Sequence, residues 1–238
     1  MITRALFNSL TPSQLEALFA FDPQASRNEA GRSMQRMVGR HSSATLYHGD
    51  WKDVLPLVAD AMITDQPYGT GWIRGGGKKA GEFKRRKETA EWDVFDLAWM
   101  EYAPEIVAAF CPIQGVWEMC LRLKTPCVLK YRKSNPAPYG ADCEPVVCSR
   151  PLAGPWEKEA YNGDNDLHPC QKPVPLMAWL VRELTTEGQT VLDPFMVSGS
   201  TGIAAARLHR NFIGIERDAE YYKLACDRIA HELDGALL

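Results

Sequence analysis

Residues 191–218 read VLDPFMVSGSTGIAAARLHRNFIGIERD. An apolar strand ends in Asp193, a turn of small residues follows, a helix opens at Ser200 or Thr201, and a second strand ends in Glu216. Short buried strands joined by a helix belong to parallel sheets covered on both faces. The turn offers backbone N–H groups and a helix N-terminus to a ligand, and an acid at the next strand end suits ribose hydroxyls. On spacing alone this is a nucleoside-cofactor site. The competing reading is an ordinary strand–turn–helix whose hydroxyls cap the helix.

The rest of the chain repeats the theme. ATLYHGD (44–50) and DAMITD (60–65) are strands, with a short helix in WKDVLPLV between them. KPVPLMAWLVREL (172–184) is an amphipathic helix with its prolines in the first turn, where they are tolerated. AEYYKLACDRIAHEL closes the chain as a helix. YAPEIVAAF (102–110) reads as a helix, and GVWEMCL (115–121) and PCVLKY (126–131) as strands. TPSQLEALFAF, near the N-terminus, reads as a helix, and the polar stretch 24–43 as a second helix or an arm. The pattern predicts an α/β fold with a doubly wound, mostly parallel sheet and ligands at the strands' carboxyl ends.

Bulk properties exclude several classes. A net charge of −3 announces no nucleic-acid binder, so any such role rests on a local patch. Seven cysteines without a C-x-x-C argue against a disulfide framework and against a zinc site, and no metal is expected. No apolar run is long enough to span a bilayer, and no signal-peptide core follows Met1, so a reduced, cytoplasmic protein is expected. The patch is present in sequence. Segment 73–90 is rich in Gly and carries Arg74, Lys78, Lys79, Lys84, Arg85, Arg86 and Lys87 against Glu82 and Glu88. LKYRKSNP adds Lys130, Arg132 and Lys133. These read either as phosphate contacts or as solvated charge.

Three segments in one order resemble the DNA amino-methyltransferases. DPFMVSGST with the following FIGIE is similar to that family's S-adenosylmethionine motif, usually D-P-F-x-G-S-G-T-T. LHPCQKP resembles the H-P-T-Q-K-P segment that precedes it, and TDQPYG (64–69) resembles the catalytic D-P-P-Y. The catalytic motif comes first, which is the permuted β-type order. The resemblance implies a Rossmann-like methyltransferase fold over 44–238, with 1–43 as an N-terminal helical extension or arm and 134–166 as a short target-recognition segment. It implies that Asp193, Phe195, Ser198, Gly199, Ser200 and Thr201 line the methionine side of the cofactor. Lys172 would approach the cofactor's carboxylate, Glu216 its ribose and Asp50 its adenine end. Asp50 reads equally well as a turn or helix cap.

The same resemblance gives DQPY its chemistry. An exocyclic base amine is a poor nucleophile, because its lone pair is delocalised into the ring. Asp65 and the carbonyl of Gln66 would each accept one N–H, Pro67 would hold the turn, and Tyr68 would stack on a base flipped from its helix. An Asp-initiated motif favours adenine N6 over cytosine N4. DNA is the implied partner; RNA is the runner-up, and a second copy of the chain is one way to extend target recognition. Two positions depart from the family pattern: Gln66 stands for its first proline and Val197 for its glycine. Valine resists positive φ. These departures open a second reading, a weakened or silent relative that binds nucleic acid or a protein.

Overall fold

The structure, a computed structural model, describes residues 26–27, 33–69, 72–74, 83–85, 94–124, 126–132, 143–153 and 171–235. Eleven strands occur among them. In chain order they are β1 (Ser26–Arg27), β2 (Ser33–Val38), β3 (Ser43–His48), β4 (Ala61–Asp65), β5 (Trp72–Arg74), β6 (Phe83–Arg85), β7 (Ile106–Phe110), β8 (Cys127–Arg132), β9 (Cys143–Cys148), β10 (Thr190–Asp193) and β11 (Asn211–Glu216). The helices are α1 (Trp51–Val54), α2 (Val116–Arg122), α3 (Val174–Leu184), α4 (Ser200–Arg207) and α5 (Ala219–Gly235).

Nine strands form one sheet in the order β1-β2-β3-β11-β10-β4-β7-β9-β8. The central run β3-β11-β10-β4-β7 is parallel throughout. Antiparallel pairs extend it at both edges, β2 with β1 on one side and β9 with β8 on the other. Alternating side chains feed two cores. Leu46, Ile63, Ala108, Phe110 and Val191 pack with α3, α4 and α5. Met62, Val107, Ala109, Leu192 and Ile215 pack with α1, α2 and the 3-10 turn Ala98–Tyr102. This is the doubly wound architecture expected from the alternating pattern. Among the described residues no helix is long and apolar enough to cross a membrane.

Three local expectations need correction. IVAAF is the buried strand β7, not a helix: its small alanines let helices press on both faces, and tertiary burial overrides alanine's helical preference. GVWEMCL is helical rather than extended. Its strand-like look came from Trp117 and Leu121, which lie 74% and 68% exposed while Met119 alone is fully buried. The stretch 24–43 supplies β1 and β2, with β2 paired along β3 from Ser33↔His48 to Val38↔Ser43. Segment 134–166 contributes β9, whose Val146 and Val147 are core residues. TPSQLEALFAF lies outside the described residues.

Candidate active site

At the end of β10 the chain turns toward β11, and at the end of β4 it crosses to β7 on the opposite side. The gap between these neighbouring strands is a topological switch point, where open α/β sheets bind ligands. Asp193 ends one strand and Asp65 the other. Asp65, Lys172, Asp193, Ser198, Ser200 and Thr201 line one crevice there, with Gln171, Phe195 and Val197. It is partly open to solvent, with a cavity volume of about 30 Å³.

Asp193 organises the turn. Its Oδ2 accepts from Thr201 Oγ1 at 2.6 Å; its Oδ1 accepts from Thr64 Oγ1 at 2.7 Å and from the Phe195 N–H at 3.1 Å. Thr64 therefore ties the turn to the strand that carries Asp65. Sequence reading missed it; a hydroxyl directly before the motif acid was the available signal. Burial pushes the Asp193 carboxyl up to about 6, against the pull of its three donors. Phe195 is braced edge-on by Trp51 and Trp99.

The helix α4 starts differently from expectation. Its N-cap is Gly199 at φ 80°, with no side-chain cap bond, rather than Ser200 or Thr201. Glycine is needed for that φ, and a Cβ there would also press on Ala225 and Ile229. Thr201 is committed to Asp193, while among the described residues Ser200 Oγ has no partner; neither does Gln171 Oε1. Both atoms are buried, and both residues line the crevice, which suits a ligand with polar groups.

Val197 has φ 46°, so the turn does demand the left-handed conformation that valine resists. Its N–H donates to Glu216 Oε2 at 3.0 Å. Such strain costs on the order of 1–3 kcal/mol. Val197→Gly gives back about 0.5–1 kcal/mol through the freer unfolded chain. The variant is expected to melt about 2–4 °C higher for each net kcal/mol gained. A lower melting temperature would show that the valine is not strained.

Glu216 Oε1 accepts from the Asp218 N–H at 2.8 Å, so both of its oxygens are engaged. Asp50 lies beside it: Gly49 N–H donates to the Glu216 carbonyl at 2.9 Å. Asp50 caps α1 by accepting from Lys52 N–H at 3.0 Å and meets Arg217 at 3.5 Å, which is the capping alternative weighed above. Burial pushes the Glu216 carboxyl up to about 7, from an ordinary 4.5. A carboxyl raised on folding binds more protons in the native state. Stability from it is present at low pH and is lost as pH rises toward 7. Wild-type unfolding free energy should therefore fall by on the order of 2 kcal/mol between pH 5 and 7 through this group, and Glu216→Gln should flatten that slope in urea melts.

The catalytic-motif candidates meet at Asp65. Its Oδ1 accepts from Tyr68 OH at 2.9 Å, and its Oδ2 accepts from Lys172 Nζ at 2.6 Å. Lys172 was expected at a cofactor carboxylate. Here it bridges Asp65 and Glu144, 3.1 Å from Glu144 Oε2, and sits over the Phe110 and Tyr68 rings. Sequence reading assigns Glu144 no role, because no local pattern marks β9 as a strand. Glu144 lies at the start of an antiparallel strand, which brings it to the carboxyl ends of the parallel ones. Burial raises the Asp65 carboxyl; Lys172 opposes this and Glu144 adds to it. Burial also raises the Tyr68 hydroxyl. Gln66 points away from the crevice: its Nε2 donates to Met119 Sδ at 3.6 Å and its buried Oε1 has no partner among the described residues, so the amide does not compete for Asp65.

The basic candidates are less fully placed. Arg74, Lys84 and Arg85 belong to a two-stranded antiparallel pair, β5 with β6. Lys130 is exposed on the edge strand β8, and Arg132 ends that strand. Lys78, Lys79, Arg86, Lys87 and Lys133 lie outside the described residues.

Comparison with known proteins now bears on this geometry. The family model N6_N4_Mtase, described as DNA methylase, matches residues 109–227, half of the chain. The chain belongs to this DNA methylase family. It is 40% identical over 87 residues to the Type II methyltransferase M2.MboI of Moraxella bovis, covering 37% of this chain and 30% of that protein. It is 48% identical over 65 residues to M2.DpnII of Streptococcus pneumoniae, covering 27% and 24%. The matched region thus spans less than a third of these curated relatives. The crystal structure of an M1.HpyAVI–SAM complex superposes with a TM-score of 0.54 at 26% identity, covering 78% of this chain and 99% of that one. The fold of this family member is the Rossmann-like methyltransferase fold.

Proposed function

We propose that this chain transfers a methyl group from S-adenosylmethionine to the exocyclic amine of a flipped base in DNA, with adenine N6 favoured over cytosine N4. The observation that carries the reading is the single crevice shared by Asp65 and the 193–201 turn. The cofactor, when bound, supplies a methyl on a sulfonium ready for in-line displacement. The chain's own residues position the partners. Ser198, Gly199, Ser200 and Thr201 line the methionine side with Asp193 and Phe195; Glu216 and Asp50 serve the ribose and adenine ends. Asp65 and the Gln66 carbonyl accept the two amine hydrogens, which turns the nitrogen lone pair toward the methyl carbon. Pro67 fixes the turn and Tyr68 offers its ring. The basic groups of 73–90 and 130–133 contact phosphates, which positions the strand without reading it.

The test is methyl transfer from labelled cofactor to unmethylated DNA and RNA side by side, followed by nucleoside analysis. Label in N6-methyladenine from DNA is expected; label confined to RNA, or none, defeats the reading. The weakened-relative reading draws on Val197 φ 46° and on Gln66 in place of proline. If it holds, the double variant Gln66→Pro, Val197→Gly methylates faster than the natural chain.

A further inference from the structure

Resting on the reading above, we propose that Glu144 is a positioning residue: it gives Lys172 a second seat, so that the ammonium can leave Asp65 without becoming an unpaired buried charge. Lys172, Asp65 and Glu144 side chains are only 7%, 22% and 15% exposed. Both oxygens of Asp65 already have donors, Tyr68 OH and Lys172 Nζ. A substrate amine reaching Asp65 Oδ2 meets Lys172 Nζ, which holds that oxygen at 2.6 Å, and competes with it there. Tyr68 is tethered three residues away in the same turn, whereas the lysine has a long stem and a second acceptor at 3.1 Å. Moving Nζ wholly onto Glu144 opens Asp65 Oδ2 while the cation keeps a carboxylate partner and the Phe110 face beneath it. Neither the resemblance nor the comparisons assign Glu144 a role.

Among the described residues, the charged and titratable groups facing Asp65 are Lys172, Glu144, Tyr68, Asp193 and, at the end of β7, Cys111. Glu144 acts on Asp65 in two ways. Its negative charge raises the Asp65 carboxyl, and by drawing Lys172 toward itself it would weaken the pull that lowers it. Removing the charge therefore moves Asp65 titration downward while locking Lys172 onto it. A merely structural residue would not produce that pair of effects.

The experiment compares wild type, Glu144→Gln and Glu144→Asp. The Asp65 carboxyl is followed by carbon NMR, assigned with Asp65→Asn, and methyl transfer to DNA is followed across pH. In Glu144→Gln the Asp65 titration and the acid limb of the rate are expected to move down. The plateau rate should fall by about tenfold or more, with the KM for S-adenosylmethionine nearly unchanged. Glu144→Asp should recover part of both. An unshifted Asp65 titration in a folded Glu144→Gln chain overturns the proposal, as does an undiminished plateau. Absence of transfer by the wild-type chain would instead remove the functional reading, and the titration would still decide the Glu144 coupling.

Discussion

Lys172→Met is expected to lower the unfolding free energy by about 3–5 kcal/mol, the usual cost of removing one partner from a buried ion pair. The change leaves Asp65 and Glu144, which share this one ammonium, facing each other with little water to screen them. The methionine fills much of the lysine stem's volume, so the loss reports charge rather than a cavity. Protonating a carboxyl removes the repulsion. The deficit should therefore be largest near neutral pH and should shrink as pH falls through the raised Asp65 titration. Denaturant midpoints across pH measure it, and adding Glu144→Gln to Lys172→Met should return much of the loss. A deficit below about 1 kcal/mol would mean that the three groups behave as a solvated surface cluster.

Asp65→Ala should reduce the rate of methyl transfer by about 10²–10⁴-fold, the range for losing a positioned proton acceptor. Cofactor affinity should change little. The turn that would hold the cofactor is fixed by Asp193, Thr201, Thr64 and the Phe195 N–H, and none of those bonds runs through Asp65. Parallel kinetics and calorimetry on the variant separate the two effects. A large drop in affinity with an unchanged maximal rate would move Asp65 from the chemistry to binding.

Much of this site could be read in the sequence because its residues stand at strand ends. A buried strand that stops at an acid fixes where that acid lies, and two such strands side by side bring the acids together. The demand for positive φ at position 197 followed from the resemblance, whose pattern has glycine where this chain has valine. What the sequence hid were contacts between distant strands. Glu144 joins the site only because β9 runs antiparallel to β7, which no local pattern announces. IVAAF and GVWEMCL were exchanged in kind because burial, not propensity, decides both: β7 sits between two helical layers, and α2 leaves its large apolar side chains exposed. The cap at Gly199 was misread because Thr201 is drawn to Asp193 by a bond across the turn.

The central claim is spatial, and determining the structure of the chain bound to S-adenosylhomocysteine tests it most directly. The account predicts the sulfur in the crevice between the 193–201 turn and the Asp65 carboxylate, with Lys172 moved toward Glu144. A sulfur bound elsewhere, or facing away from Asp65, would contradict it.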